Sequence, residues 1–157
     1  MESREAGARQ RLLLVCYGNI CRSPMAEVLL RRALEHAGLG QSYVVRSAGV
    51  GALPGTPAAR GALEAARNAG LDLSSHRARR LTPEMAREAH VVVALDEVVE
   101  EEIAIQVGNL PVVLWAVDDP YGGPAEGYRR ALHEIDAHVR RFVDELRERH
   151  AVRPSGC

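Results

Sequence analysis

The chain has 157 residues, of which 46% are hydrophobic and 26% charged, with 20 basic and 21 acidic side chains. This length suits one domain with its own core, and the balanced charge excludes a general nucleic-acid binder, which carries a basic excess. No apolar run approaches the roughly 20 residues of a membrane span, and three cysteines, Cys16, Cys21 and Cys157, cannot build a disulfide framework. We expect a cytoplasmic protein without nucleic-acid or membrane partners.

Four short apolar runs alternate with helical patterns along the chain. The predicted strands are residues 12–15, 44–45, 91–95 and 111–115, and a proline places the last of them at an edge. Continuous apolar strands joined by helices are typical of a parallel sheet covered on both faces. The predicted fold is therefore a three-layer α/β architecture with a four-stranded parallel sheet between two layers of helices.

The predicted helices begin at polar residues. Ser23, Thr56 and Thr82 are each followed by proline, an acidic helix starts near Asp96, and a long helix with apolar spacing includes Tyr128. The domain prediction is a tail at 1–10, one domain at 11–150 and a second tail at 151–157.

Residues 16–23, directly after the first predicted strand, have the features of an anion-binding loop. Cys16 follows the strand directly, Gly18 lies in a short loop, and Ser23 is the predicted N-cap of the helix that follows. Such a loop turns backbone N–H groups and the positive end of the helix dipole toward one point. Arg22 adds a planar fork that matches two phosphate oxygens. The pattern predicts a phosphate site with Cys16 as a thiolate nucleophile beneath the phosphoryl group.

Other interpretations of the loop cysteines are weaker. An isolated Cys16 would be taken as a small apolar core residue. A zinc site needs a second pair of ligands at metal spacing, which Cys16 and Cys21 lack. A Walker loop is excluded because all 20 basic residues are Arg. We therefore expect no metal and no cofactor.

A second loop of chemical interest follows the fourth predicted strand and contains Asp118 and Asp119 before a proline. Because the carboxyl ends of parallel strands meet at one edge of a sheet, this loop should lie beside residues 16–23. An aspartate there can protonate the leaving oxygen of a phosphate ester and then deprotonate the hydrolytic water. An Asp-Pro pair is also common turn chemistry, so the pattern by itself leaves both interpretations open.

These motifs resemble those of the low-molecular-weight protein-tyrosine phosphatases. Residues 15–27 (Val-Cys-Tyr-Gly-Asn-Ile-Cys-Arg-Ser-Pro-Met-Ala-Glu) resemble that family's phosphatase loop, and residues 119–121 (Asp-Pro-Tyr) resemble its general-acid loop. Residues 47–49 (Ser-Ala-Gly) and 75–79 (Ser-His-Arg-Ala-Arg) resemble two further family segments in the same order. The resemblance covers about residues 12–146. It implies a four-stranded parallel sheet with a phosphate loop after the first strand, and metal-free hydrolysis through a phosphocysteine.

The resemblance also implies roles for individual residues. Cys16 would be the nucleophile, Arg22 the phosphate clamp and Asp119 the acid and base, with Asp118 as a neighbour. The implied phosphate-binding residues are Tyr17, Gly18, Asn19, Ile20, Cys21, Arg22 and Ser23. The implied supporting network, in which Ser23 hydrogen-bonds the thiolate, consists of Asn19, Ser23, Ser47 and His76. A reversible disulfide between Cys16 and Cys21 is implied as well.

The predicted substrate pocket departs from the family pattern. Family members that take phosphotyrosine usually carry an aromatic residue after the Ser-Ala-Gly segment. Residues 50–53 contain none, so at Ala52 one wall of the pocket for the aryl ring is missing. Tyr121 would supply the other wall. The two glycines after Tyr121 resemble the bacterial protein-arginine-phosphatase branch, but that branch carries Thr where this chain has Ile20. A hydrocarbon at that position favours an aryl ring.

The function predicted from residues and resemblance together is hydrolysis of phosphotyrosine-type esters on proteins by a monomeric enzyme, with inorganic phosphate as product. The alternative is a protein-arginine phosphatase. An arsenate reductase of the same fold would need further cysteines after Arg22, and only Cys157 follows. A non-catalytic phosphate-binding module would need neither Cys16 nor Asp119.

Overall fold

One parallel sheet of four strands lies at the centre of the fold. The structure is a computed structural model, and it describes residues 9–152. Within that range the strands are β1 (Gln10–Cys16), β2 (Tyr43–Gly49), β3 (Val91–Ala94) and β4 (Val113–Leu114), in the spatial order β2-β1-β3-β4. All neighbouring pairs run parallel. The predicted sheet is confirmed, with the very short β4 at an edge.

Helices cover both faces of this sheet. In the described residues they are α1 (Arg22–His36), α2 (Arg60–Asn68), α3 (Pro83–Glu88), α4 (Glu97–Val107) and α5 (Ala125–Val152). Leu12 and Leu14 of β1 belong to a core shared with α1, α2 and α5, whereas Leu13 and Val15 belong to a core shared with α3 and α4. Successive side chains of a strand point to opposite faces, so a strand buried on both sides is apolar throughout.

The start of α1 differs from the prediction. The helix begins at Arg22. Its N-cap residue is Cys21, whose side chain makes no capping hydrogen bond. Ser23 therefore lies inside the first turn and is not the N-cap, which leaves its hydroxyl available for the site. The predicted starts at Thr82 and Asp96 are confirmed, because the side chains of both residues cap the helices that follow them.

The second helix also starts later than predicted. The Thr56-Pro57 pair predicts a start there, but α2 begins at Arg60. Pro57 forms an isolated antiparallel bridge with Arg77, and the Thr56 carbonyl accepts a hydrogen bond of 2.7 Å from the Ala78 N–H. These long-range pairings use backbone groups that a helix would need, so they keep the segment extended.

The ends of the described chain extend beyond the predicted domain. Strand β1 begins at Gln10 and helix α5 ends at Val152, so both elements reach into the segments predicted as tails. Residues 1–8 and 153–157, including Cys157, lie outside the described residues. In the part that the structure describes, no helix is long and apolar enough to cross a membrane.

Candidate active site

A cavity of about 320 Å³ lies at the carboxyl edge of the sheet. The loops after β1, β2 and β4 line it, as parallel strand topology favours. The lining residues are Cys16, Tyr17, Gly18, Ile20, Cys21, Arg22, Gly51, Leu53, Thr56, Asp119 and Tyr121. The two loops that the sequence predicts to lie side by side therefore share one cavity.

Two hydrogen-bond donors are directed at the sulfur of Cys16. The backbone N–H of Asn19 donates to Sγ at 3.2 Å, and the Ser23 hydroxyl oxygen lies 3.0 Å from Sγ. Ser23 Oγ also accepts from the Asn19 amide at 2.8 Å, so its own proton is available to the sulfur. Donors of this kind stabilise a thiolate. Both contacts therefore suit a nucleophilic sulfur at Cys16.

The guanidinium of Arg22 is buried and anchored at one corner. Its Nη1 donates to Asp96 Oδ2 at 2.7 Å and to the Val117 carbonyl at 2.8 Å. Among the described residues its Nε has no hydrogen-bond partner, and its Nη2 lies 3.7 Å from Asp119 Oδ2. The Nε–Nη2 edge is therefore free to make two parallel hydrogen bonds to an oxyanion.

Asn19 holds the loop in a conformation that few residues tolerate. Its φ is +56°, and it is the one non-glycine residue with positive φ in the described chain. The side-chain amide donates to the hydroxyls of Ser23 and Ser47, and its oxygen accepts from the Arg79 N–H at 2.8 Å. The Asn19 carbonyl accepts from His76 Nε2 at 2.7 Å. The predicted network is thus assembled, with Asn19 and Ser23 buried behind the loop rather than lining the cavity.

Glu27 extends this network, although no sequence motif predicts a role for it. The Ser47 hydroxyl donates to Glu27 Oε1 at 2.5 Å, and Arg31 forms an ion pair with the same carboxylate. Arg31 also donates to the Val45 carbonyl at 2.8 Å. The four-residue spacing of Glu27 and Arg31 was the available signal, since such pairs share a helix face.

Gly49 allows β2 to approach the phosphate loop closely. A Cβ atom at this position would lie 2.6 Å from the Tyr17 carbonyl oxygen and 2.8 Å from the Asn19 nitrogen. Any other residue would push the loop away from the sheet. Glycine is therefore required here because a side chain has no room, and not because the backbone needs a positive φ.

The pocket wall differs from the prediction at Ala52. Ala52 is buried and does not line the cavity, because its neighbour Leu53 takes that place. A Cβ on Gly51 would lie 2.6 Å from Cζ, 2.8 Å from Cε2 and 2.9 Å from the hydroxyl oxygen of Tyr17, so the Tyr17 ring covers the glycine backbone. The missing aromatic wall is therefore supplied from inside the phosphate loop. Tyr121 lines the cavity as predicted.

The loop after β4 brings one of its two aspartates to the cavity. Asp119 lines the cavity with its side chain half exposed, whereas Asp118 does not line it. Asp119 Oδ1 accepts from the Tyr121 N–H at 3.2 Å, which leaves Oδ2 toward Arg22. This carboxylate can exchange protons with solvent and with a group held by Arg22.

Cys21 is buried and stays protonated near neutral pH. The pKa of its thiol is raised to about 12, mainly by burial and also by the charges on Cys16 and Asp119, while a hydrogen bond to Tyr128 and the charge of Arg22 oppose the rise. Its Sγ lies 3.9 Å from the Tyr128 hydroxyl, and both loop cysteines are free thiols.

Within residues 9–152, no three His, Cys, Asp or Glu side chains are grouped so as to hold a metal ion.

Comparisons with known proteins agree with the resemblance of the sequence motifs. The family model described as low molecular weight phosphotyrosine protein phosphatase matches residues 11–152. The chain is 35% identical to a probable low molecular weight protein-tyrosine-phosphatase of Ralstonia nicotianae, with 87% of this chain and 95% of that protein covered. It is 32% identical to a protein-arginine-phosphatase of Bacillus subtilis, with 87% and 97% covered. The solved structure of the YwlE arginine phosphatase from Geobacillus stearothermophilus superposes with a TM-score of 0.84 at 29% identity, covering 94% of this chain and 99% of that one.

Proposed function

Because the chain belongs to the low molecular weight phosphotyrosine protein phosphatase family and is therefore a cysteine-based phosphatase, we propose that it hydrolyses phosphotyrosine-type esters on proteins. The observation that carries this substrate class is the wall of the cavity. The rings of Tyr17 and Tyr121 and the side chain of Leu53 line it next to Cys16 and Arg22. Aromatic walls favour an aryl ring.

In the first step, the Cys16 thiolate attacks the phosphorus. The S–P bond forms while the bond from phosphorus to the aryl oxygen breaks, and Asp119 gives its proton to the leaving oxygen. The Nε–Nη2 edge of Arg22, left open by the anchor at Nη1, holds two oxygens of the transferred group. The products of this step are the phenol and a phosphocysteine.

In the second step, water attacks the phosphocysteine. The new O–P bond forms, the S–P bond breaks, and Asp119 takes the proton from the water. The donors from Asn19 and Ser23 stabilise the departing Cys16 thiolate. Inorganic phosphate leaves, and the carboxyl group is protonated again for the next cycle. The reaction needs no metal or cofactor, and we propose a monomeric, cytoplasmic enzyme.

A protein-arginine phosphatase is the second candidate. It is favoured by relatives of that name and by Gly122 and Gly123 after Tyr121. Ile20 lines the cavity with a hydrocarbon side chain, which offers no hydroxyl to a guanidinium substrate. We therefore place phosphotyrosine first.

The deciding experiment measures kcat/KM with a phosphotyrosine peptide and a phosphoarginine peptide of matched sequence, with chelator present. We expect the phosphotyrosine peptide to be preferred. A clear preference for phosphoarginine would reverse the order of the two candidates. The variant Ile20→Thr should shift the preference toward phosphoarginine, while Ile20→Val, which has the shape of threonine without its hydroxyl, should not.

The nucleophile is tested by Cys16→Ser. We expect a loss of turnover of at least about a thousandfold, because the hydroxyl is a far weaker nucleophile than the thiolate. Binding of inorganic phosphate, measured by calorimetry, should persist, because Arg22 and the loop remain. Turnover at the wild-type rate would exclude the proposed mechanism.

A further inference from the structure

Tyr128 connects the two loops of the active site. It lies in the first turn of α5 and is buried. Its hydroxyl is 3.9 Å from Cys21 Sγ, in the phosphate loop, and the backbone amide of Gly122, in the loop that carries Asp119, is near enough to this hydroxyl to oppose the rise in its pKa. A side chain of the last helix therefore contacts both halves of the site.

In both contacts the tyrosine oxygen is the acceptor. Burial raises the pKa of the Cys21 thiol to about 12, so the thiol carries a proton near neutral pH and donates it toward Tyr128. Burial likewise raises the pKa of Tyr128, which keeps its hydroxyl neutral, and the nearby Gly122 amide opposes that rise. A hydroxyl oxygen has two lone pairs, enough for both donors.

Helix α2 fixes the ring of Tyr128 from another side. A Cβ atom on Gly61 would lie 2.3 Å from Cδ2 and from Cε2 of the ring. The ring is thus seated directly against the helix backbone. Glycine at this position leaves the space that the ring occupies. With the ring held in this way, the hydroxyl has little freedom to move.

Asp119 depends on the position of its loop. Its carboxylate is held only by the Tyr121 N–H at 3.2 Å and by the more distant Arg22 at 3.7 Å, as far as the described contacts show. We propose that Tyr128 is a positioning residue for the general acid, because it holds the loop of Asp119 at a fixed distance from the phosphate loop. The inference rests on the proposed function, since it assigns Tyr128 to the protonation step of that reaction.

The test uses two aryl phosphates that differ in their need for a proton. The 4-nitrophenolate of 4-nitrophenyl phosphate leaves without protonation, whereas the leaving oxygen of phenyl phosphate needs it. General acids contribute roughly 10²- to 10⁴-fold, so a displaced acid should lose part of that range. We expect Tyr128→Phe to lower kcat/KM about tenfold for phenyl phosphate and less than about twofold for 4-nitrophenyl phosphate. An equal loss with both substrates, or no loss, would overturn the inference.

Three variants separate this inference from the function on which it rests. Asp119→Asn should show the same selectivity for the poor leaving group at larger magnitude, and adding Tyr128→Phe to it should cause no further loss. If Asp119→Asn shows no such selectivity, the acid assignment and the inference both fail. If only Tyr128→Phe lacks it, the inference alone fails.

A further variant tests the seat of the Tyr128 ring, and a control removes a hydroxyl far from the site. Gly61→Ala should displace the ring and reproduce the selectivity of Tyr128→Phe, and wild-type behaviour would contradict the proposed seat. Tyr43→Phe removes a hydroxyl that contacts His150 at 3.0 Å, at the far end of β2. It should leave the ratio of the two substrates unchanged, and a changed ratio would show that loss of any buried hydroxyl has this effect.

Discussion

The guanidinium of Arg22 and the carboxylate of Asp96 form an ion pair with Nη1 2.7 Å from Oδ2. The same carboxylate caps α4, because Oδ1 accepts the Val99 N–H at 2.7 Å. One side chain after β3 thus starts a helix and orients the phosphate-binding arginine. The sequence predicts a helix start near Asp96 but no part for this residue in the site.

We expect Asp96→Asn to impair both roles. An asparagine has one acceptor oxygen where two are used, so either the helix cap or the bond to Arg22 is lost. We expect the unfolding free energy to fall by about 1 to 2 kcal/mol. We expect kcat/KM to fall about tenfold as Arg22 loses its orientation. Urea unfolding and steady-state kinetics measure the two effects. Asp136→Asn, in the exposed pair with Arg140, is the matched control and should change stability by less than about 0.5 kcal/mol.

Two substitutions of Asn19 separate backbone strain from side-chain bonding. Asn19→Gly tolerates the φ of +56° but loses the hydrogen bonds of the side-chain amide. Asn19→Ala loses these hydrogen bonds and also disfavours the positive φ. We expect the alanine variant to be less stable than the glycine variant by about 1 kcal/mol, and both to lose at least about tenfold in kcat/KM. Denaturant midpoints measure the difference. Equal midpoints would show that the left-handed backbone imposes no strain.

Tyr17→Leu should weaken the binding of aryl substrates. Aromatic contacts contribute about 0.5 to 1.5 kcal/mol, so KM for a phosphotyrosine peptide should rise roughly three- to tenfold while kcat changes little. Because the Tyr17 side chain is exposed, its substitution should not impair folding. Gly51→Ala, which removes the space for the ring, should have the same effect. A rise that is equally large with a phosphoserine peptide would contradict an aryl wall.

The stability of the protein should fall at alkaline pH because of Cys21. Its pKa is raised from 9.0 to about 12, mainly by burial, so the folded thiol keeps its proton where the unfolded thiol has lost it. The stabilisation is complete below pH about 9 and declines by up to about 1.4 kcal/mol per pH unit until the folded pKa is reached. Compared with Cys21→Ala, the wild type should lose unfolding free energy as pH rises from about 9, as urea titrations measure. Parallel curves for the two proteins would contradict this.

Several parts of the site could be predicted because they are contiguous in the chain. A buried strand, Cys16, a short loop, Arg22 and a helix follow one another within residues 10–36, so local patterns are sufficient to recognise them. The position of Asp119 was predictable from topology alone, since parallel strands end at one edge. The start of α2 was not, because pairing of residues 56–57 with a distant segment overrides the local Thr-Pro signal.

Local sequence patterns are sufficient to predict the fold class, the order of the elements and the loop that carries Cys16 and Arg22, because hydrophobic periodicity and helix signals act over short distances. The identity of the remote side chains that complete the site depends on how the strands pair and pack. Asp96 reaches Arg22 because β3 pairs with β1, and Tyr17 covers Gly51 because β2 pairs with β1 on the other side. Such contacts depend on strand order and close packing, and neither leaves a pattern within a single stretch of sequence.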